Sequence, residues 1–185
     1  MYKRQVLCST AKASEEAEAR VRTILVRLGL ELHPEKTRRV DLSWGKRGFD
    51  FLGCHLRKRM SGPIWEKARK RVYFLQRWPS LRSMKRVRQR VKELTGRNRS
   101  GVKDVRVIIA DLNPVLRGWG NYFRTGNAAQ KFIQIDFYVE RRLHRFMVKR
   151  KGRNLRPGES HQWTRDFFHT LGHRLRGTIQ YPEAA

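Results

Sequence analysis

The chain has 185 residues, enough for one ordinary domain or two small ones, and its 39% hydrophobic and 10% aromatic content can build a core and excludes wholesale disorder. Lys and Arg number 43 against 16 Asp and Glu, a net charge of +27. Self-repulsion on that scale excludes an ordinary free enzyme of small molecules and asks for a polyanionic partner, nucleic acid before an anionic membrane surface.

No apolar run approaches the length of a membrane span, and the N-terminus has no apolar signal-peptide core. Cys8 and Cys54 form no CxxC and no disulfide framework. Both are expected to pack in apolar, strand-like surroundings, in a reduced, cytoplasmic setting. Residues 1–60 carry 14 basic and 7 acidic residues, whereas residues 61–110 carry 15 and 3. The charge is thus densest in the middle of the chain. Ser61-Gly62-Pro63 punctuates the shift as a domain boundary.

In chain order, Val6-Leu7-Cys8 reads as a short strand. Residues 14–28 read as a helix with Ser14 as N-cap, acids Glu15, Glu16 and Glu18 in its first turn, and Gly29 as its stop. Its apolar face is Ala17, Val21, Ile24, Leu25 and Leu28. Val40–Trp44 and Phe49–Leu56 are β-rich runs around Gly45-Lys46-Arg47-Gly48, a hairpin signal. Ser80 or Ser83 starts a helix ending near Gly96, with Met84, Val87, Val91 and Leu94 as a narrow apolar stripe among basic residues. A helix over 102–112 follows the basic loop Thr95–Gly101. Asn113-Pro114 then reads as the start of a separate helix carrying Leu116, Trp119 and Phe123. Residues 128–150 form a long helix whose inner face is Phe132, Ile135, Val139, Leu143, Phe146 and Met147. After a loop at Pro157-Gly158, residues 161–176 are expected to form one more helix with Trp163, Phe167, Phe168 and Leu171 as packing residues.

Two stretches are more specific. Leu30-Glu31-Leu32-His33-Pro34-Glu35-Lys36-Thr37, followed by Phe49-Asp50-Phe51-Leu52-Gly53, resembles the late palm and primer-grip hairpin of group II intron reverse transcriptases. Leu112-Asn113-Pro114-Val115-Leu116-Arg117-Gly118-Trp119-Gly120-Asn121-Tyr122-Phe123-Arg124 is similar to the signature of the maturase-specific, thumb-like domain X of the same proteins. Asp136 to Arg145, Lys149 to Arg153 and Leu175 to Pro182 continue that pattern.

The resemblance implies an α+β chain. A C-terminal remnant of a reverse-transcriptase palm would occupy residues 1–60 and a connector residues 61–80. A helical maturase domain would follow over 81–153 and a C-terminal extension over 154–185. The remnant is expected to expose an unpaired sheet edge and to be poorly stable. The family's Y-x-D-D aspartates would stand just before Val6, where Met1 to Gln5 contain no acid, and Asp41, Asp50, Asp104, Asp111, Asp136 and Asp166 are isolated. The chain is therefore expected to be a truncated or split piece of the family protein, inactive as a polymerase by itself. No cofactor is expected in this chain; Mg2+ belongs to the intact family enzyme.

By the same resemblance, Lys36 is the nucleotide-proximal lysine, and Phe49, Phe51, Leu52 and Gly53 are the primer grip. The partners implied are structured intron RNA and an RNA/DNA template–primer duplex. Read from charge and spacing, the RNA-contacting candidates are Lys85, Arg86, Arg88 and Arg90 on one helix and Arg97 and Arg99 in the loop. Arg117 and Arg124 flank an aromatic face, and Arg141, Arg142, Arg145 and Lys149 lie along the long helix. Trp119, Tyr122 and Phe123 suit the core better than base stacking. His169 and His173 have a metal-capable spacing but no HExxH pattern around them. The function expected is assistance to intron RNA folding and splicing. The alternatives are a free-standing basic RNA-binding protein and one piece of a split RNA-directed DNA polymerase.

Overall fold

The computed structural model describes residues 5–60, 72–99 and 101–173. The expected boundary at Ser61-Gly62-Pro63 and the closing stretch from Leu175 lie outside them. The chain divides into two units, residues 1–52 with 56–76, and residues 53–55 with 77–185.

In the first unit, helix α1 spans Ala11–Arg27. Its N-cap is Thr10, whose hydroxyl accepts from the Ala13 N–H, and not the predicted Ser14. Glu15, Glu16 and Glu18 therefore lie beyond the first turn, and two of them answer cations: Arg39 reaches Glu15 at 2.8 Å and Glu18 at 3.1 Å, and Arg22 reaches Glu18 at 3.0 Å. Gly29 ends the helix as predicted. It takes φ +65° and, with Leu30, returns N–H bonds to Val26 and Leu25, a Schellman closure. No residue of α1 is buried; Ile24 and Leu28 of its apolar face are 56% and 66% exposed.

The predicted strand at Val6–Cys8 does not form. These residues are exposed irregular chain, and Cys8 is exposed rather than packed. A strand needs a neighbour to pair its backbone, and none of the described strands pairs with this segment. The hairpin exists but lies further along the chain than expected. Val40–Trp44 contains no strand; Ser43–Gly45 is a single 3-10 turn. Strands β1 (Gly48–Phe51) and β2 (Cys54–Met60) are instead joined across Leu52-Gly53. Both turn residues have positive φ, +45° and +78°, the requirement of a type I′ connection that matches strand twist. Strand β3, Tyr73–Pro79, completes a three-stranded antiparallel sheet of order β1-β2-β3.

The second unit holds the core. Helix α2 (Leu81–Leu94) starts at Ser80, whose hydroxyl accepts from the Ser83 N–H, and buries Met84, Val87 and Val91 as predicted. Helix α3 spans Val105–Phe123 without interruption. The predicted break at Asn113-Pro114 is absent. Asp104 caps the whole helix, accepting from the Arg106 N–H. The Asn113 amide, free of any capping duty, donates to the Gly172 carbonyl at 3.0 Å. Pro114 removes one N–H within α3, and burial of Ile108, Ile109, Leu112 and Leu116 on both sides of it outweighs that loss. Helix α4 (Ala129–Lys151) buries the six predicted residues from Phe132 to Met147. The terminal helix is shorter than expected: α5 is Arg165–Thr170, capped by Thr164, with Trp163 and Phe168 buried. Helix α2 packs on α3 and α4, and α3 on α4. The aromatic ring of Trp119 meets Phe123 and Phe132 at centroid distances of 5.2 and 5.6 Å, which makes it a packing residue.

Candidate nucleic-acid interface

In α2, the inward stripe Met84-Val87-Val91 turns Arg82, Lys85, Arg86 and Lys92 outward. Their spacing of three, four and seven residues lines them along one face. All four are exposed, and none makes an ion pair or side-chain hydrogen bond among the described residues. Arg88 lies differently. Its guanidinium sits 5.8 Å over the Tyr138 ring, with Nε buried. Arg90 is paired with Glu93 at 3.0 Å, which holds that carboxyl below the usual range.

Beyond α2, the candidates divide again. Arg99 is ion-paired with Asp111. Arg97 lies in the short 3-10 turn Arg97–Arg99. Arg142 is turned inward: its Nε donates to Thr95 Oγ1 at 2.8 Å, and its guanidinium also donates to the carbonyls of Thr95 and Lys92 at 3.0 and 3.3 Å. It closes the C-terminus of α2, where carbonyls lack helical partners and the dipole favours a cation. Arg141, Arg145 and Lys149 line the exposed side of α4 at intervals of four, without partners among the described residues, and Arg117 is exposed on α3. Arg124 is half-buried.

The hairpin tip is built around Gly53. Its carbonyl accepts from the Ser80 N–H at 2.9 Å and the Ser83 hydroxyl at 2.8 Å, and a Cβ there would stand 2.9 Å from Ser83 Oγ. Leu52 is 59% exposed at the tip, while Phe49 and Phe51 are half-buried in β1. Lys36 is exposed in the turn closed by N–H bonds from Lys36 and Thr37 to the His33 carbonyl.

One constellation escaped the sequence reading. Asp136 and Glu140 lie one turn apart on α4 and are buried, facing the end of α5. Arg165 Nε is 3.1 Å from Glu140 Oε1, His169 Nε2 is 3.8 Å from the same oxygen, and His173 Nε2 is 4.0 Å from Asp136 Oδ1. Burial raises the Glu140 carboxyl, and burial first, then the charges of His169 and Arg165, lowers His173 to about 4. The available signal was two acids at inward positions of a helix whose other inward residues are apolar. Among the described residues no three His, Cys, Asp or Glu side chains gather to hold a metal ion. No described helix is long and apolar enough to cross a membrane.

Residues 84–165 match the family model of the group II intron, maturase-specific domain. The match runs from the first turn of α2 to the start of α5 and includes most of the exposed basic residues of α2 and α4. Over those residues the chain is similar to the group II intron maturase-specific domain, an indication of a maturase-related role. No curated protein matches the chain at a significant level.

Proposed function

We propose that this maturase-specific domain binds structured group II intron RNA through the outward faces of α2 and α4 and helps the ribozyme reach its splicing-competent fold. One observation carries the reading. The stretch that matches the domain holds Lys85, Arg86, Arg117, Arg141, Arg145 and Lys149, all exposed without acidic partners among the described residues. Arg82 and Lys92 extend the same face. Cations left unneutralised by the fold are neutralised by phosphates, and release of condensed counterions drives the binding. Arg88, Arg90, Arg99 and Arg142, engaged within the domain, have the lesser part. The RNA supplies the chemistry; the protein supplies charge and shape.

A second contact belongs to the hairpin. Leu52 is exposed in a turn whose glycine is pinned to the start of α2, a placement suited to touching a nucleic-acid strand, and Phe49 and Phe51 stand half-buried in the preceding strand β1. Lys36 would lie near a nucleotide only alongside a polymerase centre. Gripping a template–primer duplex is the role these residues would serve there.

The test is competition binding of the full chain to its own intron RNA against unrelated structured RNA of equal length at physiological salt. Preference for the intron by roughly a thousandfold or more supports the splicing role. Equal affinity overturns it and leaves a general basic RNA-binding protein. Within the same assay, Arg86→Ala is expected to flatten the log–log salt dependence by roughly one unit. An unchanged slope removes α2 from the interface.

A further inference from the structure

Beside the Glu140–Arg165 pair, a cavity of about 260 Å³ opens to solvent. That is below the roughly 300 Å³ at which drug-sized ligand pockets begin. Its rim carries Arg141, Arg145 and Arg165, all exposed; its floor is Glu140, Trp163 and Phe168, all buried. The floor is pre-formed. His144 Nε2 lies 3.1 Å from the Ser160 carbonyl, and its ring meets Trp163 edge-on at 5.9 Å, so the indole is held in place.

The polarity of this cavity is graded. A simple phosphate site would not place a carboxylate at its base, where it repels the anion. A carboxylate there accepts N–H groups, and Glu140 is already oriented from one side by Arg165 Nε at 3.1 Å. Cations at the mouth with an acceptor and aromatic edges beneath match a nucleotide entering base first, its phosphate remaining at the rim. Bases inside an RNA duplex are stacked and unavailable for such entry. Loops and bulges present them splayed, and recognition then runs through the base edge.

We infer that this cavity takes a single unstacked, amino-bearing nucleotide of RNA, cytidine or adenosine, with its phosphate on Arg141 and Arg145 and its exocyclic amine donating to Glu140. The inference rests on the RNA-binding reading above and deepens it: α4 reads an unpaired base, whereas the outward face of α2 tracks backbone.

The test uses the full chain and labelled oligo(C), oligo(A) and oligo(U) of equal length, with an RNA duplex as comparison. The wild type is expected to bind oligo(C) and oligo(A) about tenfold more tightly than oligo(U), because uracil lacks the amine. Glu140→Gln is expected to bring the three together, since an amide donates to uracil as readily as it accepts from cytosine. Arg141→Ala with Arg145→Ala removes two exposed side chains and leaves the core intact. This pair is expected to weaken oligo(C) about tenfold and the duplex, which loses only backbone contacts, by about threefold. The control pair Lys12→Ala with Arg20→Ala, with the same loss of charge on α1, is expected to leave both within twofold. Equal binding of the three homopolymers by the wild type overturns the inference. So does a preference that survives Glu140→Gln, or an equal loss for oligo(C) and duplex in the Arg141/Arg145 variant. If Arg86→Ala still weakens intron RNA in that event, the RNA-binding reading stands without the pocket. If the wild type binds no RNA at physiological salt, both fall.

Discussion

Arg142 and Arg141 are neighbours in a basic run, and the fold gives them opposite tasks. Arg141 faces solvent at the mouth of a cavity; Arg142 makes three hydrogen bonds at the end of α2. Removing it leaves two buried or half-buried acceptors unmet, so Arg142→Ala is expected to cost about 2 kcal/mol, read from the urea midpoint. Arg142→Lys is expected to recover less than half, because an ammonium cannot span the Thr95 hydroxyl and both carbonyls. Arg141→Ala is expected to leave stability within about 0.5 kcal/mol. His173 gives a pH dependence. Buried and without a hydrogen bond on either ring nitrogen, it is held near 4, against an ordinary value of 6.5. Between those values the unfolded chain binds a proton that the folded chain refuses. Stability therefore falls as pH drops from about 6.5 to 4, by at most about 3 kcal/mol. Glu140 works the other way, since its raised carboxyl takes up a proton in the folded state first as pH falls. His173→Gln is expected to reduce the acid sensitivity in thermal melts across pH 4–7; an unchanged profile would mean that His173 is not its source.

Among the elements, α3 shows how burial overrides a local signal. Asn113-Pro114 has the form of a helix start, yet the helix runs through it, because the residues on either side share one buried face. Pro114 is itself exposed, so Pro114→Ala restores an N–H without opening a cavity. It is expected to raise stability by about 1 kcal/mol or more, measured by denaturant unfolding. Helix α1 is the reverse case: caps, ion pairs and a Schellman closure define it locally, while its apolar side gains no buried residue. Its stability rests on terms worth tenths of a kcal/mol to about 1 each.

Over the whole molecule, every buried hydrophobic side chain among the described residues belongs to the second unit, from Cys54 through Met84 to Phe168. Hydrogen exchange is therefore expected to be fast over residues 11–27 and slow over residues 84–91 and 132–147. Equal protection in the two units would contradict this account. The sequence by itself determined the charge excess, +27 with few acids to answer it, and the inner faces of α2 and α4, because an apolar period of 3.6 needs no partner to be recognised. Its motifs also located the maturase-specific domain, which the family match finds over residues 84–165. Tertiary structure alone decided what depends on distant residues. Val6–Cys8 finds no strand to pair with, and the hairpin turns where Leu52 and Gly53 take positive φ. Arg142 is drawn to carbonyls 47 and 50 residues away in sequence. Glu140, one of two acids in a basic helix, becomes the floor of a cavity only once Trp163, Arg165 and Phe168 fold back over α4. Charge and periodicity are local sums along the chain. Which cation remains free is settled by what else arrives beside it.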